Sequence, residues 1–192
     1  MKNVKVISDT SRFRQLKDEW NNLLKNSRSN TLFLTWEWLF NWWNIFNKNQ
    51  ELFILTYRDD NNELIGIAPL FINKIKIFKF LNLKQIQFLG TKNVCSDYLD
   101  FIIKKGHESQ VLKEFLKFIY KKRKIWDSIL LSDLPDKSVN KPIIQNFLSE
   151  NKKDFHCTDW TVCPYVKLPE SKEEFLNSLS GNMRYQSKSK EE

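Results

Sequence analysis

The sequence predicts a mixed α/β (α+β) domain, one sheet flanked by helices, over residues 1–168, with the opening of a further helical segment at 169–192. Three observations carry this. The chain has 192 residues and is 41% hydrophobic, an inventory for one sizeable core. Short β-branched and aromatic runs alternate with stretches whose apolar residues recur every three to four positions. The resulting order is β-α-α-β-β-β-α-β-α-β-β.

Val4-Lys5-Val6-Ile7 is a short strand, and Ser8-Asp9-Thr10-Ser11 after it offers several helix N-caps. Phe13, Leu16, Trp20, Leu23 and Leu24 then share one helical face. Thr35 caps a second helix whose Trp36, Trp38, Phe40, Trp42, Trp43 and Phe46 point in every direction, which demands cover on most sides. Glu51 to Tyr57, a polar turn, and Glu63 to Ile72 read as a hairpin, with Gly66 and Pro69 marking a bulge and an edge. Further strands are expected at Ile75 to Leu81, Gln85 to Leu89 and Tyr98 to Ile103. Val111, Leu112, Phe115, Phe118 and Ile119 mark a helix, Trp126 to Leu131 a strand, and Val139 to Ser149 another helix. Two last strands are expected around Phe155 to Asp159 and Cys163 to Leu168. Ser171-Lys172-Glu173-Glu174 is a capping-box pattern that starts a new helix, and the polar stretch from Arg184 reads as the opening of something truncated.

No apolar run approaches the roughly 20 residues that span a bilayer, and the N-terminus has no apolar signal core, so the expected location is cytoplasmic. Cys95, Cys157 and Cys163 lack zinc-knuckle spacing, and His107 and His156 have neither a nucleophile nor a carboxylate partner at recognisable spacing. No metal is expected. The net charge of +8 is scattered; its one dense run, Lys121-Lys122-Arg123-Lys124, either complements a helix C-terminus or contacts phosphate.

Certain words narrow the reading. Thr35-Trp36-Glu37-Trp38-Leu39 with Trp42-Trp43, then Leu64-Ile65-Gly66-Ile67-Ala68-Pro69-Leu70, then Leu89-Gly90 and Ser96-Asp97-Tyr98-Leu99-Asp100 resemble the N-terminal half of acetyltransferases associated with cellulose and exopolysaccharide synthesis, the CelD/BcsL type. These belong to the GNAT (N-acetyltransferase) superfamily, and the element order is similar to the GNAT fold. Leu179-Ser180-Gly181-Asn182-Met183-Arg184 is similar to the helix that leads into the family's second GNAT-like domain. The resemblance implies tandem domains, as in FemAB-type aminoacyl transferases, with acetyl-CoA or another acyl-CoA on the second one. It implies a small-molecule acceptor, an amine or hydroxyl on a sugar or cell-envelope precursor.

The residues agree with that division. A CoA-binding turn needs closely spaced backbone N–H groups at a helix N-terminus. Here the corresponding turn, Lys104-Lys105-Gly106-His107-Glu108-Ser109, has one glycine and an acidic residue, and no Gly-x-Gly pair exists among the four glycines. No cofactor is therefore expected on this chain, which alone should be inactive. Substrate contacts are expected from Trp36 and Trp38, whose indole faces suit sugar rings; from Asp97, Tyr98 and Asp100, which could bind an acceptor and take its proton; and from Arg184. Strand alternation would put Asp97 and Leu99 on one face, Tyr98 and Asp100 on the other. The structural alternatives are core or interface packing for the indoles, a turn cap for Asp97, burial with a bonded hydroxyl for Tyr98, and a solvent-exposed place on a frayed helix for Arg184. Two rivals remain: a FemAB-like enzyme using aminoacyl-tRNA, the one case in which nucleic acid is expected, and a non-catalytic interaction module from a truncated gene.

Overall fold

The computed structural model describes residues 3–78, 81–91, 94–159, 162–164, 167 and 169–188. The chain divides into two compact units, residues 1–158 and 159–192.

In the first unit, β1 (Val4–Ile7) leads to α1 (Thr10–Gln15) and α2 (Lys17–Lys25), so the single helix expected from the 13–24 pattern is interrupted at Leu16. Asp9 caps α1 by accepting the Arg12 N–H at 2.8 Å. A 3₁₀ turn (Leu32–Leu34) precedes α3 (Trp36–Phe46), which Thr35 caps. Most of α3 is covered, as its composition demands; Glu37, Asn41, Asn44 and Ile45 are exposed. Its indoles tie it to its surroundings: Trp43 Nε1 donates to Thr10 Oγ1 at 3.1 Å, and Trp42 packs on Phe71 with centroids 5.2 Å apart.

Two four-stranded sheets follow, in the orders β1-β3-β4-β7 and β2-β5-β6-β8. The strands are β2 (Gln50–Leu52), β3 (Ile54–Arg58), β4 (Leu64–Ala68), β5 (Leu70–Phe78), β6 (Leu81–Phe88), β7 (Ile102–Ile103) and β8 (Ser128–Leu130). They are the halves of one bent sheet. The register from Gln50↔Asn73 to Leu55↔Ala68 runs across the junction without a shift, and Phe53 N–H to Leu70 O (3.1 Å) and Leu89 N–H to Pro69 O (2.8 Å) join the halves. Pro69 is thus interior to the sheet and not at an edge; its missing N–H is accommodated because it stands where β4 ends and β5 begins. The strands expected at 63–72 and 75–81 merge into β4 and β5, since no turn residue divides them.

After β7, α4 (Glu108–Lys121) crosses to β8, which pairs with β6 in parallel, and α5 (Asn140–Glu150) packs against α4. Gly66 lets α4 approach: a Cβ there would lie 2.4 Å from Val111 Cγ1 and 3.2 Å from Phe115 Cζ. The observed class is therefore mixed α/β with helices flanking the sheet. No helix among the described residues is long and apolar enough to cross a membrane.

Phe155 to Asp159 forms no strand. Of the strand expected at Cys163 to Leu168, Cys163, Pro164 and Lys167 are outside any strand, and Tyr165, Val166 and Leu168 lie outside the described residues. The second unit holds α6 (Lys172–Ser178) and α7 (Gly181–Lys188). Ser171 caps α6 by accepting the Glu174 N–H at 3.1 Å, the bond that the capping-box pattern predicts.

Candidate functional site

Leu89 bonds to Pro69 and Ile102 pairs with Ile67, so the chain leaves the sheet after Leu89 and rejoins it at Ile102 in a nearly adjacent register position; the residues described between them, 90–91 and 94–101, form an excursion from the sheet. The strand expected from Tyr98 therefore starts only at Ile102. Gly90 opens the excursion at φ +91, and a Cβ there would meet Leu39 Cδ2 at 3.0 Å. Cys95 and Tyr98 adopt left-handed backbone at φ 50 and 56, and Asp133, whose carbonyl accepts the Leu99 N–H at 3.0 Å, does so at φ 61. Each such non-glycine residue costs about 1 kcal/mol or more, strain that characteristically gathers at functional sites.

Asp100 holds the excursion in place. Its carboxylate is 2% exposed and accepts four hydrogen bonds: Ser29 Oγ (2.9 Å) and Ser138 Oγ (2.6 Å) at Oδ2, Asn140 Nδ2 (2.9 Å) and the Phe101 N–H (2.7 Å) at Oδ1. Burial pushes its pKa above the ordinary aspartate value, and these bonds oppose the shift without cancelling it. The knot joins the segment after α2, the excursion and the entry to α5.

Trp38, Asp97 and Tyr98 are not enclosed as Asp100 is. Trp38 is half-buried, donates from Nε1 to the buried Ser96 Oγ at 2.9 Å, and meets Phe33 edge-to-face at 5.2 Å. Asp97 is half-buried with no hydrogen-bond or ion-pair partner among the described residues, and Tyr98 is exposed. The left-handed turn at Tyr98 breaks the strand alternation, so Leu99 and Asp100 both face inward. Three other expected contacts have structural partners. Trp36 is 8% exposed, stacks on Phe40 at 4.3 Å and donates to Phe13 O at 2.9 Å. Asp100 is enclosed as described. Arg184 donates from Nε to Leu176 O (3.0 Å) and from Nη2 to Asn177 O (3.1 Å) and Leu179 O (3.2 Å), using its fork on the carbonyls at the end of α6.

At the N-terminus of α4, the turn weighed above for an acyl-CoA pyrophosphate, the Glu108 carboxylate accepts the Gly106 N–H at 2.8 Å and pairs with Arg28 at 3.1 Å. Lys104 is bound by both Glu63 oxygens, at 2.7 and 2.8 Å.

Sequence reasoning passed over a polar row on β6 and β8. Gln87 Nε2 donates to Gln85 Oε1 at 2.5 Å, Gln85 Nε2 to Ser128 Oγ at 3.0 Å, and the Thr91 and Ser132 hydroxyls are 2.6 Å apart. Gln87 is 1% exposed, and its Oε1 has no hydrogen-bond partner among the described residues. The alternation Gln85-Ile86-Gln87-Phe88 was the available signal: glutamine twice on one strand face marks a polar face beneath cover.

No family model matches the chain, and no curated protein sequence matches it significantly. Among solved structures it is similar to an aminoglycoside 6'-N-acetyltransferase from Acinetobacter baumannii (12% identity, 87% of this chain and 99% of that one, TM-score 0.46). It is also similar to a glucosamine-6-phosphate N-acetyltransferase from Arabidopsis thaliana (12%, 85% and 99%, 0.44). A third is a ribosomal-protein-alanine N-acetyltransferase from Brucella melitensis biovar Abortus 2308 (14%, 85% and 98%, 0.42).

Proposed function

We propose that this chain is the N-terminal, acceptor-side half of a cytoplasmic GNAT-type acyltransferase that moves an acetyl or acyl group from acyl-CoA to an amine or hydroxyl on a sugar or cell-envelope precursor. A second GNAT-like domain of the same protein supplies the donor site, and the 192-residue chain alone is inactive. The observation that carries the reading is the excursion from the sheet between Leu89 and Ile102, which presents an unengaged carboxylate, Asp97, near an indole whose edge is pinned by Ser96. Two of the sequence words that resemble the CelD/BcsL type, 35–39 and 96–100, contribute Trp38 and Asp97 to this surface, and the Glu108–Gly106 contact at α4 supports placing the donor elsewhere.

In this reading the Trp38 face stacks on the acceptor ring and its anchored N–H fixes the tilt. Asp97 accepts a hydrogen bond from the acceptor amine or hydroxyl, then its proton, beside the exposed Tyr98. Asp100 is a positioning residue: it touches no acceptor and fixes the excursion that carries the other two.

Calorimetric titration of the chain with glucosamine, a probe amino sugar, and separately with acetyl-CoA tests this. Weak saturable binding of glucosamine that Asp97→Asn removes, with no acetyl-CoA binding, is the expected result. Acetyl-CoA binding with micromolar affinity would place a donor site on this chain and overturn the division.

A further inference from the structure

A separate groove of about 570 Å³ opens where β1 ends beside β2, at the C-terminal end of α4. Its volume lies within the range typical of small-molecule sites. α4 spans about 20 Å at 1.5 Å per residue, and the Glu108 turn is at its other end. Val6, Trp43, Phe53, Ile72 and Ile125 give the groove apolar walls. They come from β1, α3, the junction of β2 and β3, β5 and the turn after α4, so distant segments build it.

The polar lining is unbalanced toward positive charge. Lys84 and Lys122 both line the groove, and neither ammonium has an ion-pair partner among the described residues; Lys122 lies 5.9 Å over the Phe118 ring. The one carboxylate on the wall, Glu51, is bound by Lys74 at 2.6 Å. Gln50 Oε1 is buried in the wall without a donor among the described residues.

The geometry points to a binding site for a small amphipathic anion, a molecule with an apolar chain or ring ended by a carboxylate or phosphate. The apolar walls cover the body, and the two lysines meet the charged end with charge-assisted hydrogen bonds. A cation would face two ammonium groups, and a neutral chain would leave both without a counter-charge. The assignment is independent of the proposed acyl transfer, since the groove shares no residue with the Trp38–Asp97 surface.

The test is calorimetry and methyl NMR on the full chain with decanoate and with decyl phosphate, each below its micelle concentration. We expect one saturable site, shifts at the Ile72 and Ile125 methyls and the Trp43 indole, and at least tenfold weaker binding of decanol and of decyltrimethylammonium. The two anionic probes distinguish a carboxylate from a phosphate end. Lys84→Glu with Lys122→Glu should weaken anion binding by at least tenfold, while Lys117→Glu on the exposed side of α4 leaves it unchanged. Lys84→Gln with Lys122→Gln makes the same comparison should the reversed pair misfold. Absence of saturable binding, equal affinity for decanol, or insensitivity to the lysine changes would overturn the assignment, as would shifts mapping to Trp38.

Discussion

Replacing Asp100 separates its structural work from its charge. In Asp100→Ala the Phe101 N–H, the Ser29 and Ser138 hydroxyls and the Asn140 amide lose an acceptor together. The hydroxyls can rotate, and Asn140 Nδ2 keeps the Phe101 carbonyl at 3.1 Å. The Phe101 N–H and part of the amide are then stranded, and at about 1–3 kcal/mol per buried unsatisfied group the expected loss is about 3–4 kcal/mol. Asp100→Asn keeps the shape and the acceptor oxygen, turns two hydroxyls into acceptors, and removes a buried charge; we expect a cost of about 1 kcal/mol or less near neutral pH. The pH dependence follows from the raised pKa. The folded state binds the Asp100 proton more tightly than the unfolded chain, so this group's contribution is fully present below the ordinary aspartate pKa of about 3.9 and is lost as pH rises through the folded value. Wild type should therefore lose ground to Asp100→Asn between acid and neutral pH. Urea unfolding of the three proteins at several pH values measures all of this. An alanine cost below about 1 kcal/mol, or an asparagine difference that does not move with pH, would refute the reasoning.

Three further outcomes are expected. Gly66→Ala forces a methyl against Val111 and Phe115 and should destabilise by about 1–3 kcal/mol, with Val111→Ala in the same chain restoring part of the loss in a denaturation cycle. Trp38→Phe removes the donor to Ser96 Oγ; it should cost about 1 kcal/mol and speed hydrogen exchange at the Leu99 amide, which is bonded to Asp133. Arg184→Lys retains the charge but not the fork across three carbonyls, so amides in Gly181–Lys188 should exchange faster while those of α4 do not.

The basic run at the end of α4 resolves into unlike residues. Arg123 lies 4.1 Å over Trp126 and donates to the Trp126 and Asp127 carbonyls, so it is held within the fold. Lys122 turns to the groove. Lys121 and Lys124 are exposed.

Local chemistry was legible in the chain. Asp9, Thr35 and Ser171 cap helices because a short oxygen side chain before an apolar-periodic run satisfies orphan N–H groups, whatever lies beyond. The β-branched runs at 50–58 and 64–78 became strands for an equally local reason. The words at 35–39 and 96–100 contain Trp38 and Asp97 of the surface now proposed as the acceptor side, whereas Trp36 and Gly66 are packed inside. Which carboxylate serves it was not legible. Asp97 and Asp100 have identical side chains, and strand alternation, the one rule available, fails because Tyr98 turns left-handed. Only the convergence of Ser29, Ser138 and Asn140 encloses Asp100 and leaves Asp97 open. The groove was equally hidden, since Val6, Trp43, Ile72, Lys84 and Ile125 meet only when the strands and α4 come together. Spacing along a chain governs backbone bonds within a few residues; burial, pKa and cavities depend on contacts between distant segments, and these exist only in the packed protein.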